Sequence, residues 1–237
     1  MKHICVTLSA NAGIAIEVAG CRVWVDALHD EKVAGFSTLT PELQKQMLKC
    51  SAFFGPDAIC YTHCHPDHYS HTLTAAAREL WPKAKLFAPE PEFADQVLVK
   101  GEDTVFALND LLLRFIRLPH EGAQYADVKH YGLILSIEGQ NILIAGDCAT
   151  ASPALAKAVG DIPIDLAILD FPWITLRRGQ GFLQNVLGAR HLVICHLPFQ
   201  QDDTEGYRQK ACKAARTLGH WDVRLLTEPL QTEMIEI

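Results

Sequence analysis

Between Tyr61 and Ser70 the chain reads YTHCHPDHYS, with three histidines and an aspartate packed from His63 to His68. Imidazole and carboxylate groups are costly to crowd unless something binds them. The preceding stretch DAICYT (57–62) is a short apolar run of the kind that forms a buried strand. His63 and His65 therefore fall at or just past a strand end. In extended chain, residues i and i+2 point the same way, so both imidazoles reach one point while Cys64 points away. Pro66 bends the chain, and Asp67 and His68 come round before the next helix to address a second point. Imidazole and carboxylate suit zinc, manganese or iron, and no thiolate is required.

The rest of the chain supplies strand ends for such a site. HICVTLSA, GIAIEV and CRVWVD are β-branched, partly alternating runs, the last two joined by a turn at Ala19-Gly20. TPELQKQMLK is expected to be a helix capped by Thr40 with Pro41 at its first position. TLTAAARELW (72–81) is expected to be a second helix, stopped by Pro82, with AKLFA (84–88) as the strand after it. Further on, LLLRFIRL (111–118), YGLILSI (131–137) and NILIAG (141–146) read as strands, the last two joined by a hairpin at 138–140. SPALAKAV (152–159) reads as a helix capped by Ser152. DLAIL (165–169) and HLVIC (191–195) read as buried strands. A helix follows Asp203, and VRLL and TEMIEI close the chain. Two strand-rich halves with attached helices suggest two sheets covered outside by helices. No linker or repeat divides the sequence, so a single domain over 1–237 is expected.

Three further candidates for the site each follow a strand: His120 after FIRLP, Asp147 after ILIAG and His196 after LVIC. A rigid strand fixes a ligand and the loop beyond it gives access. Together with the cluster these residues make five histidines and two aspartates, enough for two metal ions with one carboxylate between them. His130 competes with His120.

Bulk properties exclude some classes. The net charge of −7 argues against a broad nucleic-acid footprint, which needs a basic face. No apolar run is long enough to span a membrane, and the N-terminus does not read as a signal peptide. The eight cysteines (5, 21, 50, 60, 64, 148, 195 and 212) show no paired spacing, so free thiols and a cytoplasmic location are expected. A homo-oligomer is left open.

THCHPDH matches the H-x-H-x-D-H signature of the metallo-β-lactamase fold superfamily, and the later PH, AGD and CH fall in the order that superfamily uses. The opening NAGIAIEVAGCRVWVDA (11–27) also resembles its first hairpin, with Asp26 at a strand end. The resemblance implies an α/β fold, the four-layer αββα sandwich. It implies that His63, His65 and His120 bind one metal ion, that Asp67, His68 and His196 bind a second, and that Asp147 bridges them. The short, lactonase-like branch, including ascorbate-6-phosphate lactonase, is the most similar. Histidine at 65, where diiron flavoproteins of the superfamily carry glutamate, argues for hydrolysis.

The expected cofactors are two divalent ions, with zinc favoured over manganese or iron. Ions about 3.5–4 Å apart would share a water and lower its pKa toward ~7, and Asp67 would orient the resulting hydroxide. The expected function is metal-dependent hydrolysis of a small anionic ester, lactone or phosphodiester. The alternatives are a phosphodiesterase acting on a nucleotide-type substrate and a non-enzymatic metal-binding protein that retains the fold. Arg177 and Arg178 are candidates for holding an anionic substrate group, against a simple exposed pair. Asp26 is expected to hold a loop or a histidine. Tyr69 and His71 lie off the register of the cluster. Cys64, Cys148 and Cys195 are expected to pack rather than ligate, and Lys210, Lys213 and Arg216 to form a solvated helix face.

Overall fold

The computed structural model describes residues 3–160 and 162–237. They form two compact units, each assembled from more than one stretch of chain. The first comprises Met1–Val99, His196–Glu205 and Leu226–Ile237; the second comprises Lys100–Cys195 and Gly206–Leu225.

The first unit is built on a seven-stranded mixed sheet. Its strands are β1 (His3–Leu8), β2 (Ile14–Val18), β3 (Cys21–Val25), β4 (Ala58–Cys60), β5 (Lys85–Ala88), β6 (Val97–Leu98) and, from the chain's end, β14 (Thr232–Glu236). The spatial order is β14-β1-β2-β3-β4-β5-β6. The hairpin from β2 to β3 turns at Ala19 and Gly20, both at positive φ, the conformation a tight two-residue hairpin needs. From β3 onward the pairing is parallel, with Val25 opposite Cys60. All three residues of β4 are buried, as expected of a strand covered on both faces.

Two helices accompany this sheet. The first, α1 (Pro41–Met47), is capped by Thr40, whose hydroxyl accepts from Leu43 N at 3.2 Å. The second, α2 (His71–Leu80), is capped in the same way by Ser70 and starts one residue earlier than its apolar pattern suggests. A cap hydroxyl satisfies one of the amides that a helix start leaves without a partner.

The second unit also holds a seven-stranded mixed sheet: β7 (Asp103–Leu108), β8 (Leu111–Arg117), β9 (Tyr131–Ile137), β10 (Gln140–Ile144), β11 (Leu166–Asp170), β12 (His191–Cys195) and β13 (Asp222–Leu225). β7 to β10 form an antiparallel meander, and β10 to β13 run parallel. Its helices are α3 (Pro153–Val159), α4 (Pro172–Thr175), α5 (Arg177–Phe182), which continues as a π turn to Leu187, and α6 (Tyr207–Thr217). Strand β7 and the helical stretch 172–187 are additions to the sequence reading. α6 begins at Tyr207, later than expected, because Gly206 at φ 68° interrupts the helix. Among the described residues no helix is long and apolar enough to cross a membrane.

Candidate metal centre

The parallel pairing of β3 and β4 sets the site. Because Val25 lies opposite Cys60, the chain leaves both strands side by side at their carboxyl ends, where open α/β sheets place ligands. Asp26 follows one strand, and Tyr61, Thr62 and His63 follow the other. Asp26 sits at φ 51° and is buried. Its Oδ1 accepts from Thr62 N at 2.8 Å, and its Oδ2 accepts from the Thr62 hydroxyl at 2.6 Å and from His68 Nδ1 at 3.0 Å.

These bonds fix two tautomers. A carboxylate only accepts, so His68 carries a proton on Nδ1, and the neutral ring presents an Nε2 lone pair. The Thr62 hydroxyl spends its one proton on Asp26, so it accepts from His63 Nδ1 at 2.9 Å. His63 therefore also presents an Nε2 lone pair. Such carboxylate-backed imidazoles are how proteins aim histidine at a metal. Asp26 holds a histidine, as the sequence suggested. Thr62, the relay to the second one, is a residue the sequence reading missed.

Around these lone pairs the other donors gather. His63 Nε2 lies 3.0 Å from His65 Nδ1. His68 Nε2 lies 3.3 Å from His196 Nε2, and Asp67 Oδ2 lies 3.6 Å from the same His196 nitrogen. The donor atoms of Asp26, His63 and His68 fall within 4.8 Å of one another, as do those of Asp67, His68 and His196. His196 reaches the cluster at φ 56° just after β12, with its backbone N donating to Asn11 O at 2.9 Å. Its ring meets the edge of Phe36, centroid to centroid 4.5 Å. A set of imidazole nitrogens and a carboxylate oxygen converging in this way is able to bind a divalent metal ion, and the chemistry of the set fits one.

In the second unit His120 and Asp147 are brought together. His120 pairs with Cys148 in an isolated antiparallel bridge, and Glu121 N donates to Asp147 O at 2.8 Å. His120 Nδ1 donates to Glu121 O at 2.8 Å, so its Nε2 is the atom left for Asp147, 3.6 Å from Oδ2. His130 is buried with Nδ1 3.3 Å from Leu118 O, its ring 5.5 Å from that of His120. Arg177 and Arg178 are both exposed, and Arg178 Nη2 is 2.7 Å from Glu121 Oε1. Burial raises the Glu121 carboxyl, but bonds from Thr150 and Arg178 outweigh it and hold the group below the usual carboxylate range.

The remaining neighbours fall as the sequence suggested. Burial, helped by Glu92, pushes the Cys64 thiol up to about 12. Cys148 and Cys195 are buried. Tyr69 donates to Glu92 at 2.9 Å and His71 stacks on Phe93. One buried histidine was not anticipated. His29 lies behind the site with Nε2 3.0 Å from Ala10 O, and desolvation holds its pKa down to about 4.

A family model described as the beta-lactamase superfamily domain matches residues 21–220, and the chain belongs to that superfamily. Igni18, a metallo hydrolase from Ignicoccus hospitalis, is similar over 99% of each chain at 17% identity, with a TM-score of 0.67. The metallo-beta-lactamase fold protein YhfI from Bacillus subtilis is similar over 99% of this chain and 100% of its own at 13% identity, TM-score 0.67. An isothiocyanate hydrolase from Delia radicum gut bacteria is similar over 97% of this chain and 98% of its own at 17% identity, TM-score 0.69. No curated protein sequence matches the chain. The fold class expected from the sequence, the α/β metallo-β-lactamase fold, is the one found.

Proposed function

We propose that the chain is a metal-dependent hydrolase that cleaves a small, anionic ester, lactone or phosphodiester, in the manner of the short lactonase-like branch of its superfamily. The observation that carries this reading is the pair His63 and His68, held through Thr62 and by Asp26, whose Nε2 atoms lie 3.0 Å from His65 Nδ1 and 3.3 Å from His196 Nε2, with Asp67 Oδ2 3.6 Å from the same His196 nitrogen. Two ions are the preferred number and zinc the preferred metal. His63, His65 and His120 are assigned to one ion and Asp67, His68 and His196 to the other, with Asp147 between; the order of these motifs along the chain supports the assignment. When bound, such ions polarise a carbonyl or phosphoryl oxygen and make water acidic enough to ionise near neutral pH.

The chain's own residues then have defined tasks. Asp26 and Thr62 keep the Nδ1 protons of His68 and His63 in place, so neither ring turns or changes tautomer. Asp67 accepts a hydrogen bond from the attacking water and orients it. Phe36 covers one side of His196 and limits solvent there. Arg177 and Arg178 are the candidate contacts for the substrate's negative charge. The cytoplasm is the proposed location.

The test is a hydrolysis screen over lactones, phosphodiesters, thioesters and isothiocyanates, with zinc, manganese or iron(II) restored to the stripped protein. Hydrolysis that needs the metal and is abolished in folded Asp67→Ala and His68→Ala supports the reading. Full activity in either variant removes the proposed mechanism. Stoichiometric metal with no hydrolysis anywhere in the panel would favour a non-enzymatic metal-binding protein.

A further inference from the structure

We propose that Asn11 is the positioning residue of the Asp67–His68–His196 cluster, tying its two distant members together and so setting how tightly it holds a divalent ion. The inference rests on the metal-centre reading above and adds a residue to it that neither the signature nor the family match assigns.

Asn11 is fully buried and makes two kinds of contact with the cluster. Its backbone carbonyl accepts from His196 N at 2.9 Å. Its side-chain Nδ2 lies 3.3 Å from Asp67 Oδ2, 3.3 Å from Asp67 O and 3.5 Å from His196 Nε2. One residue thus grips both the aspartate that follows β4 and the histidine that follows β12. The amide orientation is chemically fixed, because the reverse would set its oxygen against two oxygens of Asp67. The carboxamide adds a donor to the Asp67 carboxylate while bringing no charge of its own.

The turn that carries Asn11 is closed by two backbone hydrogen bonds. Ser9 N donates to Gly13 O at 2.7 Å and Gly13 N to Ala10 O at 2.8 Å. A Cβ at Gly13 would stand 2.3 Å from Ser9 Oγ and 2.6 Å from Asp26 O, so the turn presses directly on the backbone of the residue that fixes His68. Asn11 itself sits at φ 52°, a conformation that asparagine and glycine take more readily than other residues. Its Oδ1 has no hydrogen-bond partner among the described residues, so removing the carboxamide strands no described buried donor.

These features define the test. Asn11→Gly keeps the positive φ and the carbonyl that accepts from His196, and deletes only the side-chain donor. Asn11→Ala deletes the same group as a second variant. The full-length, metal-stripped proteins are titrated with Zn²⁺ by calorimetry, with His68→Ala marking which ion the cluster holds. A Co²⁺ titration followed by visible absorption reports the coordination directly. The expected result is a ten- to hundred-fold weaker affinity in Asn11→Gly and Asn11→Ala for the ion that His68→Ala loses. An altered Co²⁺ band is expected alongside it in both stripped variants, and a lower Tm in Asn11→Ala than in Asn11→Gly, because alanine is strained at φ 52°. Wild-type affinity for that ion in either folded variant overturns the inference alone. An unchanged ion count in His68→Ala overturns the metal-centre reading, and the inference with it.

Discussion

Asp26 and His68 are 42 residues apart in the chain, yet Nδ1 and Oδ2 meet at 3.0 Å with both side chains buried. The same carboxylate takes the amide and hydroxyl protons of Thr62, so one side chain satisfies three donors.

Asp26→Ala leaves those three buried donors without an acceptor. At about 1–3 kcal/mol for each stranded group, the expected loss is about 3 kcal/mol or more. Divalent-ion affinity should fall ten- to hundred-fold in the protein that remains folded. Asp26→Asn keeps an accepting oxygen and should lose less stability. Urea unfolding of the two variants checks the ranking, and a wild-type midpoint in Asp26→Ala would refute it.

Gly13→Ala should destabilise by overpacking alone. Its Cβ meets Ser9 Oγ, Asp26 O and, at 2.9 Å, Ala27 Cα, and two of these three are backbone atoms that cannot turn aside. A cost of about 1–3 kcal/mol is expected, read from the shift in urea midpoint at constant slope. Gly20 makes the contrasting control, because nothing lies within 4 Å of a Cβ there. The penalty at Gly20 comes from its φ of +79° rather than from crowding.

His29 should make the metal-stripped protein sensitive to acid. Its folded pKa is lowered from 6.5 to about 4 by burial, so the unfolded chain takes up the proton first. Its contribution is fully present above pH 6.5 and is lost as pH falls from there toward 4. Between pH 7 and pH 5 the loss is about 2 kcal/mol, at about 1.4 kcal/mol per pH unit below 6.5. The stability gap between wild type and His29→Gln should narrow by that amount at pH 5. A gap independent of pH would show that His29 is not held neutral.

Much of the site is written locally. His63, His65, Asp67 and His68 stand within six residues, and period-two geometry with one proline bend explains their two directions. His196 and Asp26 were legible as polar residues that end apolar runs. Thr62 and Asn11 were not, because their roles depend on neighbours brought in by the fold. Thr62 matters because β3 and β4 run parallel in one register, and Asn11 because its turn adopts a positive φ. Strand β7 escaped notice because DTVFAL alternates only between exposed and half-buried positions. The helical stretch 172–187 was hidden by Gly179 and Gly181, which argue against helix by propensity. Gly179 is required there, since a Cβ would lie 2.4 Å from Trp173 O. The division of the chain into two compact units, each drawing in late segments, has no compositional mark.

Metal analysis of the purified protein bears most directly on the central claim. Stoichiometric zinc, manganese or iron is expected in the wild type, with reduced content in folded His63→Ala and His68→Ala. Equal metal content in all three proteins, or none in the wild type after growth and purification with these metals supplied, would contradict it.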